Sequence, residues 1–302
     1  MGPRKNLRVR VVVLVVGCSL ILSACTNTRN APSLTNYSST VDYGHVTSPS
    51  PAEQRATLAG TRAYRTLIVT SAQKFAAASS ALLVAAQRGD RTAAKSDYLR
   101  AQEGFDAIRA QLNAVTPQPL SMDGRISDFP HWMPPAGLHA IEEDLWGTTG
   151  SRLVADAHAL ASIGAIMVFG LERSIATPNE YLTNAVRMLS WCIAQVIDDP
   201  QEQFSHLDLI DLTGTLGAVS AIVAGTVELG NLVNPHLTRT VVADMTQVQV
   251  TLRSLGNPAV TTDSQISNAQ WRALVSAIDT LQSHLSELAG WLWGFGTGRT
   301  YA

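Results

Sequence analysis

Cysteine is scarce in this chain, with three in 302 residues (Cys18, Cys25 and Cys192), so a disulfide-stapled scaffold is excluded and stability has to come from packing. Charged side chains are also few, at 15% against 46% hydrophobic, which excludes disorder throughout and leaves enough apolar material for a sizeable core. Beyond a Val-rich N-terminal run there is no strand-like alternation of β-branched residues, so a sheet is not expected. Heptads sustained enough for a coiled coil are missing, as are short-period repeats. The His-Glu-x-x-His zinc-protease pattern does not occur. Nor is there a basic excess. The formal charge is −2, and the first 24 residues carry Arg4, Lys5, Arg8 and Arg10 with no acid, leaving 18 basic against 24 acidic side chains in the rest. A mildly acidic surface argues against nucleic acid as partner and suits the collection of cations.

What is present begins with a targeting segment. The basic start precedes an apolar run at 11–22, short for a membrane span and well sized for the core of a signal peptide. It ends in Leu22-Ser23-Ala24-Cys25, which resembles a bacterial lipobox, where the cysteine is acylated and the chain cut just before it. The expectation is therefore a lipoprotein signal peptide at 1–24, a lipidated Cys25, a Ser/Thr/Asn-rich tether over 25–50, and a helical domain at 51–302 held at the outer face of the membrane. An uncleaved signal anchor is the competing reading. With Cys18 removed and Cys25 lipidated, only Cys192 remains, and its apolar run (188–193) reads as a buried small hydrophobe rather than a reactive thiol.

From Pro51 the chain reads as helices. Ser50 and Pro51 make a helix start, and a first helix extends to about residue 88. Asp90 caps a second to about 115, with Tyr98, Phe105, Ile108 and Leu112 at helical spacing. A proline-rich loop follows at 116–135 (Pro117, Pro119, Pro130, Pro134, Pro135), long enough to suggest a functional role. Further helices are expected at 137–146, 151–175, 177–199, 206–232, 235–255 and 264–293. The fold class is all-α, built of helical bundles.

The candidate chemistry lies in Gly137-Leu138-His139-Ala140-Ile141-Glu142-Glu143-Asp144-Leu145-Trp146. On a helix, His139, Glu142, Glu143 and Trp146 share one stripe, while Leu138, Ile141 and Leu145 share another about 100° away. A helix in a bundle can bury the second stripe and turn an imidazole and a carboxylate toward a neighbour, which makes half of a metal site. Taken alone, His-x-x-Glu is a weak signal that more often describes a solvated helix face with a His-to-Glu pair. Asp208 and Asp211 at i, i+3 read first as acids meeting the positive end of a helix, His206 as structural, and the aromatic cluster around Trp291 and Trp293 as core.

The same segment resembles the Gly-Phe-His-x-Ile-Glu-x-x-Leu-Trp signature of the imelysin-like proteins, which include the EfeO and EfeM components of bacterial iron uptake. Two further stretches stand in the expected order: Ala94-Lys95-x-x-Tyr98 through Phe105-Asp106-Ala107-Ile108, and Phe204-Ser205-His206-Leu207-Asp208-Leu209-Ile210-Asp211. The resemblance covers about 55–295. It implies two fused four-helix bundles, a metal held near the His-x-x-Glu helix with acids from the preceding helix, and iron received outside the cytoplasmic membrane and passed to a permease, often with a haem peroxidase as third component. The ligand set so implied is His139, Glu142 and Asp106, with Asp123 as the acidic loop residue, for iron, with copper or zinc as alternatives; Glu103, three residues before Asp106, can complete the set instead by restoring an acidic i, i+3 pair on that face. The chain departs from the family at Arg109, where the pattern has a second carboxylate, and a cation there opposes a metal or neutralises a ligand.

Two other functions compete with the iron carrier. Imelysin itself is described as a peptidase, and Glu143 could then serve as general base, although no second histidine stands at metal-ligand spacing. A bundle that has lost its metal and binds a protein or envelope component is the third, with Arg109 its best support.

Overall fold

The computed structural model describes residues 49–112, 120–147, 152–173, 176–197 and 202–292. The signal segment, Cys25, nearly all of the tether, Pro117, Pro119 and Trp293 lie outside the described residues. Among those described there is no strand, as the sequence leads one to expect.

Helix α1 (Pro51–Gln87) starts at a reciprocal cap in which Ser50 Oγ accepts from the Glu53 amide and the Glu53 carboxylate accepts from the Ser50 amide. Asp90 caps α2 (Arg91–Asp106) by accepting from the Ala93 amide. Two four-residue helices follow, α3 (Arg109–Leu112) and α4 (Leu120–Asp123), then α5 (Leu138–Trp146) and α6 (Leu153–Leu171). Thr177 and Glu180 form the cap of α7 (Pro178–Trp191), which passes into a π turn at Cys192–Ile197. The remaining helices are α8 (Leu209–Val233), α9 (Pro235–Leu255) and α10 (Asn268–Trp291).

These helices close two rings. In the first, α1 packs on α2 and α6, and the short α5 bridges α2 to α6; in the second, α7, α8, α9 and α10 pack each on the next. Helix α8 belongs to the second ring and also lies against α1 and α2, so one buried apolar core runs through both. Helices α1, α6 and α8 are long and apolar enough to cross a membrane by length and composition. In α1 and α8 much of that apolar surface faces the bundle interior, whereas α6 leaves Val154, Ile166 and Phe169 exposed.

Of the places where the structure differs from expectation, three bear on the site. The second helix stops at Asp106 instead of running to about 115, turns at Ala107 and Ile108, and resumes at Arg109, whose guanidinium is tied back to the Asp106 carboxylate. The proline-rich loop contains α4 and a 3-10 turn at Ile126–Asp128. The helix expected from His206 starts at Leu209, because residues 202–208 form a turn that folds onto α5: Asp208 Oδ1 accepts from the Glu202 amide, and His206 adopts φ 56°.

Candidate metal centre

The centre lies where the first ring meets the second. Leu138, Ile141 and Leu145 of α5 are fully buried in the core. The His139 and Glu142 face is buried as well, because α5 is closed over by the 202–208 turn. Gly137 is what sets the entry to this helix. It adopts φ +85°, and a Cβ there would stand 2.5 Å from the Met122 carbonyl oxygen. Its bare backbone lets the α4 segment lie against the start of α5, and Asp123 thereby faces His139.

His139 is 2% exposed, and neither ring nitrogen has a hydrogen-bond partner. Nδ1 stands 3.5 Å from Glu142 Oε2 and 3.9 Å from Glu202 Oε1, and Nε2 stands 3.8 Å from Asp123 Oδ1. Glu142 is oriented through its other oxygen: Oε1 accepts from the Phe204 and Ser205 amides at 2.8 and 2.7 Å, which leaves Oε2 without a partner and aimed at the imidazole. Glu202 accepts from Tyr98 Oη at 3.1 Å and from Ser205 Oγ at 3.0 Å. Trp146, at the end of the His139 stripe, covers Tyr98 edge-on with ring centroids 5.4 Å apart. One nitrogen and two carboxylate oxygens, from His139, Glu142 and Glu202, lie within 4.8 Å of one another and can hold a metal ion.

Around this trio lies more buried acid. Asp106 and Asp211 face each other from α2 and α8, both fully buried. Gly214 permits that approach, since a Cβ there would sit 2.6 Å from the Glu103 carbonyl oxygen and 3.0 Å from Asp106 Cβ. Asp208 adjoins Glu202, and Asp263 in turn adjoins Asp208 near the surface. Burial raises Glu202 well above the usual carboxylate range, and the neighbouring Glu142 and Asp208 raise it further. Burial likewise raises Asp211, reinforced by Asp106 and Glu202, and raises Asp106 despite the opposing pull of Arg109. Asp263 is pushed up to about 8 by burial and by Asp208.

The site residues expected from sequence divide into three groups. His139 and Glu142 come together as the helical spacing leads one to expect. Asp123 joins them only through Nε2, and Asp106 is engaged elsewhere: Arg109 Nε donates to Asp106 Oδ1 at 3.1 Å, and the same guanidinium pairs with Asp123 while lying 3.8 Å from the Trp191 ring centroid. Glu103 is a correction. It is exposed and lines a groove of about 670 Å³ with Lys74, Arg100 and Thr213, so on a helix where Asp106 points inward it falls on the solvent side and cannot restore an acidic pair. Asp208 and Asp211 do occupy the start of α8, but Asp211 also belongs to the buried acid cluster. Glu143 is half-buried beside Gly147, and the acidic atoms within reach of His139 belong to Glu142, Glu202 and Asp123. Cys192 is fully buried with its thiol pushed up by desolvation, an inert core residue as expected.

Glu202 was missed. It carries no periodic signal, because it lies in a turn and not on a helix stripe. Its position two residues before the Phe204–Asp211 segment was the available hint.

No protein-family profile matches the chain. It is 23% identical over 213 residues to the iron uptake system component EfeM of Bacillus subtilis (strain 168), an alignment that takes in 67% of this chain and 53% of that protein. The chain thus spans about half the length of the curated relative it matches.

Proposed function

We propose that this chain is an extracytoplasmic metal-binding protein of an EfeO/EfeM-type iron uptake system, an ion carrier and not an enzyme. The observation that carries this reading is a buried imidazole with both nitrogens unpartnered, facing two buried carboxylates. Buried polar atoms without partners cost stability unless something satisfies them, and a cation supplies what His139 Nδ1 and Glu142 Oε2 lack, with Glu202 Oε1, which accepts from Tyr98 Oη, standing beside them. One imidazole nitrogen among carboxylate oxygens is a donor set suited to iron, with zinc or copper as competitors. The likeness to EfeM supports the same pathway.

In this reading Cys25 carries the lipid that holds the domain at the membrane, the tether lets it approach a permease, and local concentration replaces tight docking during hand-off. A haem peroxidase is the third expected component. Calorimetric titration of the purified protein with ferrous, ferric, cupric and zinc ions tests the proposal, with one ion per chain expected for at least one of them. Failure to bind any ends it, and would favour the metal-free bundle, in which Arg109 is the resident counter-charge of Asp106 and Asp123. Peptide cleavage lost in Glu143→Gln would instead favour a metallopeptidase.

A further inference from the structure

The two ring nitrogens of His139 face different chemistry. On the Nδ1 side stand Glu142 Oε2 and Glu202 Oε1, oxygens whose carboxylates are held by backbone amides, Tyr98 and Ser205, with no Lys or Arg paired to either among the described residues. On the Nε2 side stands Asp123 Oδ1, and the other oxygen of that carboxylate is paired with Arg109. That guanidinium cannot move freely, because it is bonded to Asp106 and stacked on Trp191. A metal on the Nε2 side would lie beside a fixed positive charge. A metal on the Nδ1 side would leave Nε2 protonated and pointing at Asp123 Oδ1, a buried acceptor that has no donor.

We infer that the ion is held through His139 Nδ1 with Glu142 and Glu202, and that Asp123 is not a ligand but a positioning residue that accepts from His139 Nε2–H and is itself fixed by Arg109. This rests on the metal-carrier reading above. A carboxylate behind a metal-bound imidazole fixes its tautomer and raises its basicity. In this arrangement Arg109 is not an obstacle to the ion. It anchors the outer half of a metal–imidazole–carboxylate line, and it keeps Asp123 from becoming a ligand.

The test is a two-bond proton–nitrogen correlation spectrum of the protein with ¹⁵N-labelled histidine, titrated with zinc as a diamagnetic probe. His139 is identified by the resonance that disappears in His139→Gln. Zinc is expected to shift Nδ1 into the metal-bound range while Nε2 stays protonated, and metallation at Nε2 would overturn the inference. Asp123→Asn is expected to weaken zinc roughly 10- to 100-fold with the ring still bound through Nδ1, and Asp123→Glu to recover part of the loss. The visible spectrum of the cobalt-loaded protein should keep its band positions in Asp123→Asn, since no ligand is lost. A changed cobalt coordination, or an unchanged zinc affinity, would refute the positioning role. If the wild type takes up no ion, the carrier reading fails by itself. The ion-free ring then still reports on this inference, with protonation at Nε2 supporting the Asp123 contact and protonation at Nδ1 excluding it.

Discussion

Two interiors of this protein are equally buried and chemically opposite. Between α9 and α10, Val241, Met245, Val248, Leu274, Ile278, Leu281 and Leu285 make an apolar contact with little or no exposure. Where α2, α5 and α8 meet the 202–208 turn, Asp106, His139, Glu142, Glu202, Asp208 and Asp211 are as deeply buried. The first interior gains free energy by leaving water, about 25 cal/mol for each Å² of apolar surface. The second loses it, because desolvating a carboxylate costs several kcal/mol unless it is neutralised or paired. The far bundle can therefore be read as scaffold, and its packing has to carry a junction rich in buried acid.

The sharpest way to break this contrast is to alter one residue on each side. Glu142→Gln is expected to weaken ion binding by more than the roughly 10- to 100-fold typical of outer-shell losses, measured by calorimetry, with the helical content intact. Leu281→Ala is expected to cost about 2–5 kcal/mol of stability by denaturant melt and to leave one ion bound per chain. A change in stoichiometry there would erase the distinction between scaffold and site. Next in size is the gain from the ion itself. At a free concentration about 100 times Kd it should stabilise the fold by about 2.7 kcal/mol, raising Tm by about 5–10 °C for a domain of this size. Slowed amide exchange should then concentrate in α5 and 202–208, with α9 and α10 rising only to the global limit.

The pH dependence sharpens the contrast further. Asp106, Glu202, Asp211 and Asp263 are all raised in the folded protein, the last to about 8, so above the ordinary carboxylate range the fold holds protons that the unfolded chain has released. That stability is fully present at acid pH and is lost as pH rises through this window. The ion-free protein should melt higher at pH 5 than at pH 8, and added ion should reduce or reverse the difference; an ion-free protein more stable at pH 8 would contradict the raised carboxyls. The smallest effect belongs to the scaffold. Asn234 Oδ1 accepts from the Leu237 amide at the start of α9, and Asn234→Ala should cost about 1 kcal/mol without changing ion affinity.

Much of the scaffold was legible because its signals are local. Ser50 with Glu53, Asp90, and Thr177 with Glu180 each mark a helix start within four residues, and each forms a cap. The pair His139 and Glu142 was legible for the same reason, three residues apart on one helix. Glu103 misled because the same i, i+3 rule that places two side chains near one face does not say which of them turns to solvent. Glu202 stayed hidden because it reaches His139 from a turn 63 residues downstream.

The sequence by itself determined the helices, their caps, and an imidazole and a carboxylate on one stripe of α5, since all of these depend on dihedral preferences and short-range spacing. Only the tertiary structure decided that this stripe faces inward, that Glu202 comes beside it, and that Arg109 pairs with both Asp106 and Asp123. Those choices depend on how two helical rings close against each other. Such closure follows from the packing of the whole chain, which no short stretch encodes.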